Sequence, residues 1–261
     1  MPPLALIGAL AIGLSLGLLG SGGSILTVPV LVYVLGQDEK VAIAGSLGIV
    51  GAVSLAGAIP FALRRQVVWP SVLWFGVPGM VGTWSGAWLS QWISGGVQLT
   101  LFAIVMLLAA WMMLKPPRLA DAAEPPSRPR PAWRIVIDGM LVGVLTGLVG
   151  VGGGFLIVPA LVLLGGMPMR LAVGTSLLLI ALKSASGFVK YLGVLADQGL
   201  SIDWTVFGGF SAIGALGTLL GGYVGGKLPQ QALRRAFGAL LVVMAAFILW
   251  RSLAAAPAAS G

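Results

Sequence analysis

Apolar residues run in long blocks, with most charged residues confined to the gaps between them. The blocks span about 4–35, 41–63, 70–90 and 96–114, and then 135–165, 171–195, 203–226 and 232–250. Each reaches or exceeds the roughly 20 residues that a helix needs to cross a hydrocarbon core, so the pattern predicts an all-α polytopic membrane protein. Between the two sets lies 115–134, KPPRLADAAEPPSRPRPAWR, whose six prolines and mixed charges offer no face to bury. It reads as a Pro-rich linker. The chain thus divides into 1–114, the linker 115–134, 135–251 and a C-terminal tail, 252–261.

The two sets are copies of one another. At an offset of 130, GLSLGLLGSGGSILTVPVL (Gly13 to Leu31) lies over GVLTGLVGVGGGFLIVPAL (Gly143 to Leu161), and Ser46 meets Ser176. Beyond a five-residue insertion the offset becomes 135, and Trp69, Gly79, Gly82, Thr83 and Gly86 meet Trp204, Gly214, Gly217, Thr218 and Gly221. The N-terminus carries no basic stretch and its pattern recurs inside the chain, so it is expected to be retained rather than cleaved as a signal peptide.

The first block of each copy is too long for one straight crossing. Its 32 positions would make a helix about 48 Å long against a core of about 30 Å. Gly20-Ser21-Gly22-Gly23 and Gly150-Val151-Gly152-Gly153-Gly154 sit in the middle of the two blocks, where glycine favours a break. The pattern predicts a half-helix hairpin at 4–35 and another at 135–165. The loop cations agree, because cytoplasmic loops carry the excess of Lys and Arg. With hairpins, Arg64, Arg65, the five linker cations, Arg170, Lys227, Arg234 and Arg235 share one side, leaving only Lys40, Lys190 and Arg251 opposite. Three full crossings then remain per copy, so the copies insert in opposite orientations. This predicts two inverted repeats with a cytoplasmic linker.

Composition narrows the function. Of the 261 residues, 58% are hydrophobic and 8% charged, which excludes a water-soluble globule. The absence of Cys and His removes thiolate chemistry and the commonest metal ligand and neutral-pH base. All seven acidic residues fall in loops, the linker or near block ends, which counts against a buried carboxylate proton relay. The net charge of +8 lies mainly in the loops and linker and reads as an orientation signal, not a nucleic-acid surface. No enzyme mechanism, cofactor or metal is implied. The expected partners are the bilayer and a small anion, with homo-oligomerisation left open.

Three features carry candidate chemistry. Unwound backbone at membrane depth is tolerated where it is buried or lines a cavity, so the two glycine elbows are expected to meet near mid-depth. New helices start there, around Ser24 and Gly154, offering free amides to an anion. Along 171–195, Ser176, Lys183, Gly187 and Lys190 share one helical face, and Lys183 is a cation deep in an apolar block with no acidic residue in any block interior. Its counterpart in the first copy is Val53. The ridges Gly82-xxx-Gly86-xxx-Ser90 and Gly217-xxx-Gly221-xxx-Gly225 instead predict close helix packing.

GLLGSGGSILTVPVL, with GLVGVGGGFLIVPAL and the AVGTSLLL that follows it, resembles the sulfite exporter TauE/SafE family across both halves. The resemblance implies a bacterial plasma-membrane permease for a small sulfur-containing anion such as sulfite, sulfoacetate or another organosulfonate. It implies site residues Gly22, Gly23 and Ser24, Gly152, Gly153 and Gly154, and Ser46 with Thr175 and Ser176; Lys183 joins them from its placement alone. The rival readings are a passive anion channel on the same scaffold and a membrane-embedded assembly factor.

Overall fold

A computed structural model describes residues 3–114, 132–149, 154–164 and 166–255, and these contain helices and no strand. Helix α1 (Pro3–Leu19) turns at Gly20 into α2 (Gly22–Pro29), which ends in a π-helical turn, Val30–Val34. Then come α3 (Glu39–Leu63), a continuous run made of α4 (Trp69–Ser71), a π turn (Val72–Gly76) and α5 (Val77–Leu89), a short 3-10 turn (Ser90–Trp92), and α6 (Gly95–Leu114). The second half repeats the series: α7 (Ala132–Val149), α8 (Gly154–Pro159) with its own π turn (Ala160–Leu164), α9 (Met169–Asp197), α10 (Trp204–Gly225) and α11 (Gln230–Ala255). Helix α7 begins inside the stretch read as linker; residues 115–131 of that stretch and the end of the tail, 256–261, lie outside the described residues.

Local chemistry fixes the breaks. Gly20 turns the chain with φ +76°, a left-handed conformation that costs glycine little. Pro29 and Pro159 close α2 and α8, and each lacks an N–H and crowds the carbonyl four residues back, so a widened turn follows. Asp38 and Asp203 cap α3 and α10, their side chains accepting from the amides of Lys40 and of Thr205 and Val206.

Small residues set the helix pairings. A Cβ built on Gly23 would lie 2.2 Å from the Ile12 carbonyl oxygen, and one on Gly8 would meet Val30, so α2 runs back along α1 as a tight hairpin. Helix α1 also packs in the same direction as α10, with Gly13 against Gly214 and Gly17 against Thr218. The second half mirrors this: α7 packs along α5, with Gly143 against Gly79 and Gly147 against Thr83. Each first helix is therefore held by the third long helix of the other half. The ridge glycines Gly82, Gly86, Gly217 and Gly221 all face backbone carbonyls of the partner helix, the close packing their spacing predicts.

At the centre, the corresponding helices α3 and α9 pair antiparallel. Gly48 meets Phe188, Gly51 meets Ser184, Gly57 meets Leu177, and Phe61 meets Gly174. This register puts the midpoint of the pair beside residues 52–53 and 182–183. Among the described residues, five helices, 39–63, 95–114, 169–197, 204–225 and 231–250, are long and apolar enough to cross a membrane. Large apolar side chains coat the outside, among them Trp69, Trp84, Trp111, Trp133, Trp204 and Trp250, all at least half exposed, as in a surface solvated by lipid.

Candidate functional site

The first elbow is a built feature. Gly20 lies so close to α9 that a Cβ there would fall 2.8 Å from the Val173 Cα, and its carbonyl accepts from the Ser176 hydroxyl at 2.9 Å. No side chain caps the start of α2, so its leading amides are free of one. Gly22 and Gly23 are buried, with Gly23 against α1 and Gly22 near Leu240 of α11. Ser24 lies in the first turn of α2.

The elbow does not sit at the midpoint of the α3/α9 pair. Ser176 is six to seven residues from the midpoint of the α3/α9 pair, which places the elbow about 10 Å toward one end of the helices. The reason lies in α1, whose 17 residues carry the chain past the midpoint before it turns. Gly152 and Gly153 of the second elbow lie outside the described residues, and Gly154 opens α8. The return helices α2 and α8 do touch one another.

The remaining predicted residues are split. Ser176 belongs to the elbow. The Thr175 hydroxyl accepts from the Val68 amide at 3.0 Å and so ties down the connection between α3 and α4. Ser46, the counterpart of Ser176, is fully buried and its hydroxyl has no partner. Lys183 is fully buried at the junction of α5, α7 and α9, two turns beyond Ser176. Its ammonium stands 4.2 Å from the centroid of the Phe75 ring and 3.4 Å from the Gly139 carbonyl, and among the described residues no carboxylate pairs with it. Its counterpart Val53 packs in the mirrored place, against Gly214. Lys183, Gly187 and Lys190 all face α5, through Gly79, Thr83 and Trp84.

Sequence reasoning missed Ser54 and Ser184. Both are buried near the α3/α9 midpoint with hydroxyls that find no partner, and they correspond at the offset of 130. The duplication itself held that signal.

It also missed a matched pair of sites at opposite ends of the molecule. Near the first elbow, a cavity of about 190 Å³ is lined by Gly17, Leu18, Phe61, Leu233 and Val173, with Gly222, Gly225 and Gly226, and by Arg64, Gln66 and Arg170. At the other end the corresponding place is filled. Lys40, the counterpart of Arg170, donates to the Ser90 carbonyl at 2.8 Å, the Ile93 carbonyl at 2.7 Å and Gln98 Oε1 at 2.7 Å. Gln98 Nε2 donates to the Leu148 carbonyl and to the Tyr191 hydroxyl, and that hydroxyl donates to the Gly147 carbonyl at 3.1 Å. Gln98, Tyr191, Ser90, Leu148 and Gly147 correspond to Leu233, Phe61, Gly225, Leu18 and Gly17 of the cavity wall. One end is sealed by polar side chains and the other stands open because those polar groups are replaced by Leu, Phe and Gly.

The sequence profile of the family described as Sulfite exporter TauE/SafE matches residues 4–248. A probable membrane transporter protein of Xylella fastidiosa is 35% identical over 92% of this chain and 92% of its own length. One from Bacillus subtilis is 30% identical over 89% and 88%, and one from Methanocaldococcus jannaschii 26% identical over 95% of each. No solved structure matches the chain.

Proposed function

Because the chain belongs to the sulfite exporter TauE/SafE family of membrane transporters, we propose that it moves a small sulfur-containing anion, such as sulfite, sulfoacetate or another organosulfonate, across a bacterial plasma membrane by alternating access. The observation that carries this reading is the unequal state of the two matched ends: a cavity beside Arg64 and Arg170, and a hydrogen-bonded plug around Lys40. In an alternating-access cycle the plug around Lys40 would release as the cavity end closes, opening the molecule to each side in turn. The antiparallel pairing of α3 with α9 supports reading the halves as inverted repeats.

An anion is the favoured cargo on two grounds. A buried lysine without a carboxylate partner retains its charge at lower cost beside a negative solute. The uncapped start of α2 adds amides directed at the same sign of charge. In this reading Gly22, Gly23 and Ser24 with Ser176 form one half of the path, Gly152, Gly153 and Gly154 with Ser46 the other, and Lys183 a charge between them. Thr175 braces the first half. The excess of loop cations at the cavity end, including Arg64, Arg65, Arg170, Lys227, Arg234 and Arg235, supports placing that end and the linker 115–134 in the cytoplasm.

An uptake screen in proteoliposomes over sulfite, thiosulfate, sulfonates and carboxylates tests the reading. Saturable flux of a sulfur-containing anion with counter-exchange is the expected result. Ohmic, non-saturating current would assign a channel, and no anion flux at all would overturn it.

A further inference from the structure

We propose that the cavity at the Arg64 and Arg170 end is an anion-docking vestibule, in which the two guanidinium groups and Gln66 hold a small oxyanion before it reaches the elbow. The inference rests on the anion-transport reading and names the residues that receive the anion.

The matched plug shows why this cavity differs from an accidental void. At the sealed end, one cation is surrounded by acceptors, three oxygens within 2.8 Å of Lys40 Nζ, so its charge is spent on the protein. At the open end the side-chain acceptor Gln98 is replaced by Leu233 while the cationic charge is doubled. Arg170 takes the place of Lys40, and Arg64 stands where the other half has Val194. Arg170 gives one N–H to the Gly226 carbonyl at 2.5 Å, covering the negative end of α10, and a guanidinium carries five such donors. The Arg64 amide donates to the Pro60 carbonyl at 3.1 Å, while its guanidinium makes no hydrogen bond or ion pair among the described residues, and no Asp or Glu lines the cavity.

Size and position fit a small ion. The cavity's volume of about 190 Å³ suits a small oxyanion with a few waters. Guanidinium groups match pairs of oxyanion oxygens. Val173, in the cavity wall, is the residue on which Gly20 rests, so the vestibule ends against the elbow. Lys183 lies 13 residues beyond Arg170 on the same helix, about 20 Å deeper, leaving the two as successive stations.

The chain's lack of cysteine permits a direct test in the full protein. Leu18→Cys, or Leu233→Cys if the first folds poorly, places one thiol in the cavity wall. In uncharged detergent without phospholipid, an anionic methanethiosulfonate should modify it about tenfold faster than a cationic one of similar size, and sulfoacetate should slow the reaction. Arg64→Gln, which breaks no observed contact, and Arg170→Gln should each reduce that rate ratio, and together abolish protection by sulfoacetate; Arg170→Lys should restore part of it. Equal rates for the two reagents, or protection that survives in the double variant, would overturn the vestibule. Protection by phosphatidylglycerol but not by sulfoacetate would assign the pocket to a lipid headgroup and also overturn it. Failure of the transport reading is seen separately, as absent flux in proteoliposomes while arginine-dependent protection persists.

Discussion

The Ser176 hydroxyl donates to the Gly20 carbonyl at 2.9 Å, joining a helix of the second half to the elbow of the first. Both partners are fully buried and 156 residues apart. Ser176→Ala removes this bond and should cost about 1 kcal/mol. Gly20→Ala should cost more, since a left-handed φ is unfavourable by about 1–2 kcal/mol for a residue with a side chain and the new methyl meets the Val173 backbone. Thermal unfolding in detergent checks the order; a Gly20→Ala protein as stable as the parent would contradict the tight elbow.

The mirrored glycine seams make a paired prediction. A methyl on Gly86 would fall 2.1 Å from the Val144 carbonyl oxygen, and one on Gly221 would fall 2.3 Å from that of Leu14. Gly86→Ala and Gly221→Ala should each destabilise by about 2 kcal/mol or more, through forced separation of packed helices. Gly208→Ala, which meets nothing within 4 Å, should be neutral or stabilise by up to about 1 kcal/mol. Folded yield on size exclusion after a heating series separates the three.

The seams, the hairpin and the spanning helices were legible because they rest on local rules: glycine spacing, a break in an overlong apolar run, and length. The elbow's place along the α3/α9 pair was not legible, since it depends on the register of α1 against α10, which only packing fixes. The cavity escaped for a similar reason. Arg64 and Arg170 look like ordinary loop cations, and only the fold places them around one void. Yet the offset that set Gly13 over Gly143 also set Lys40 over Arg170 and Tyr191 over Phe61, so the contrast between a plugged and an open end was written in the alignment of the halves. Lys183 was singled out correctly as an interior cation, but the structure puts it against Phe75 and Gly139 and not at the elbow.

Lys183→Met keeps a long unbranched side chain and removes the charge. The folded yield should hold or rise, because a buried unpaired ammonium is costly, while apparent affinity for the transported anion should fall by about tenfold or more. Concentration-dependent uptake reads the effect. Wild-type affinity in this variant would remove Lys183 from the anion path and leave it a packing residue.

The plug around Lys40 should yield to a single change. Gln98→Leu installs the residue that the open end carries at Leu233 and deprives Lys40 of one acceptor. A reporter at Ser90→Cys, buried within the plug, should react slowly with a membrane-impermeant maleimide and several-fold faster once Gln98→Leu is added. An unchanged rate would mean that Gln98 does not hold that end shut.

The interleaving of the halves also bears on how the protein is made. Gly13 finds its partner in Gly214, about 200 residues later in the chain. At roughly 5–20 residues per second, the first helix waits on the order of ten to forty seconds with its glycine groove unfilled. Until α10 is made, that groove is left to lipid or to the insertion machinery, which α10 must displace when it docks.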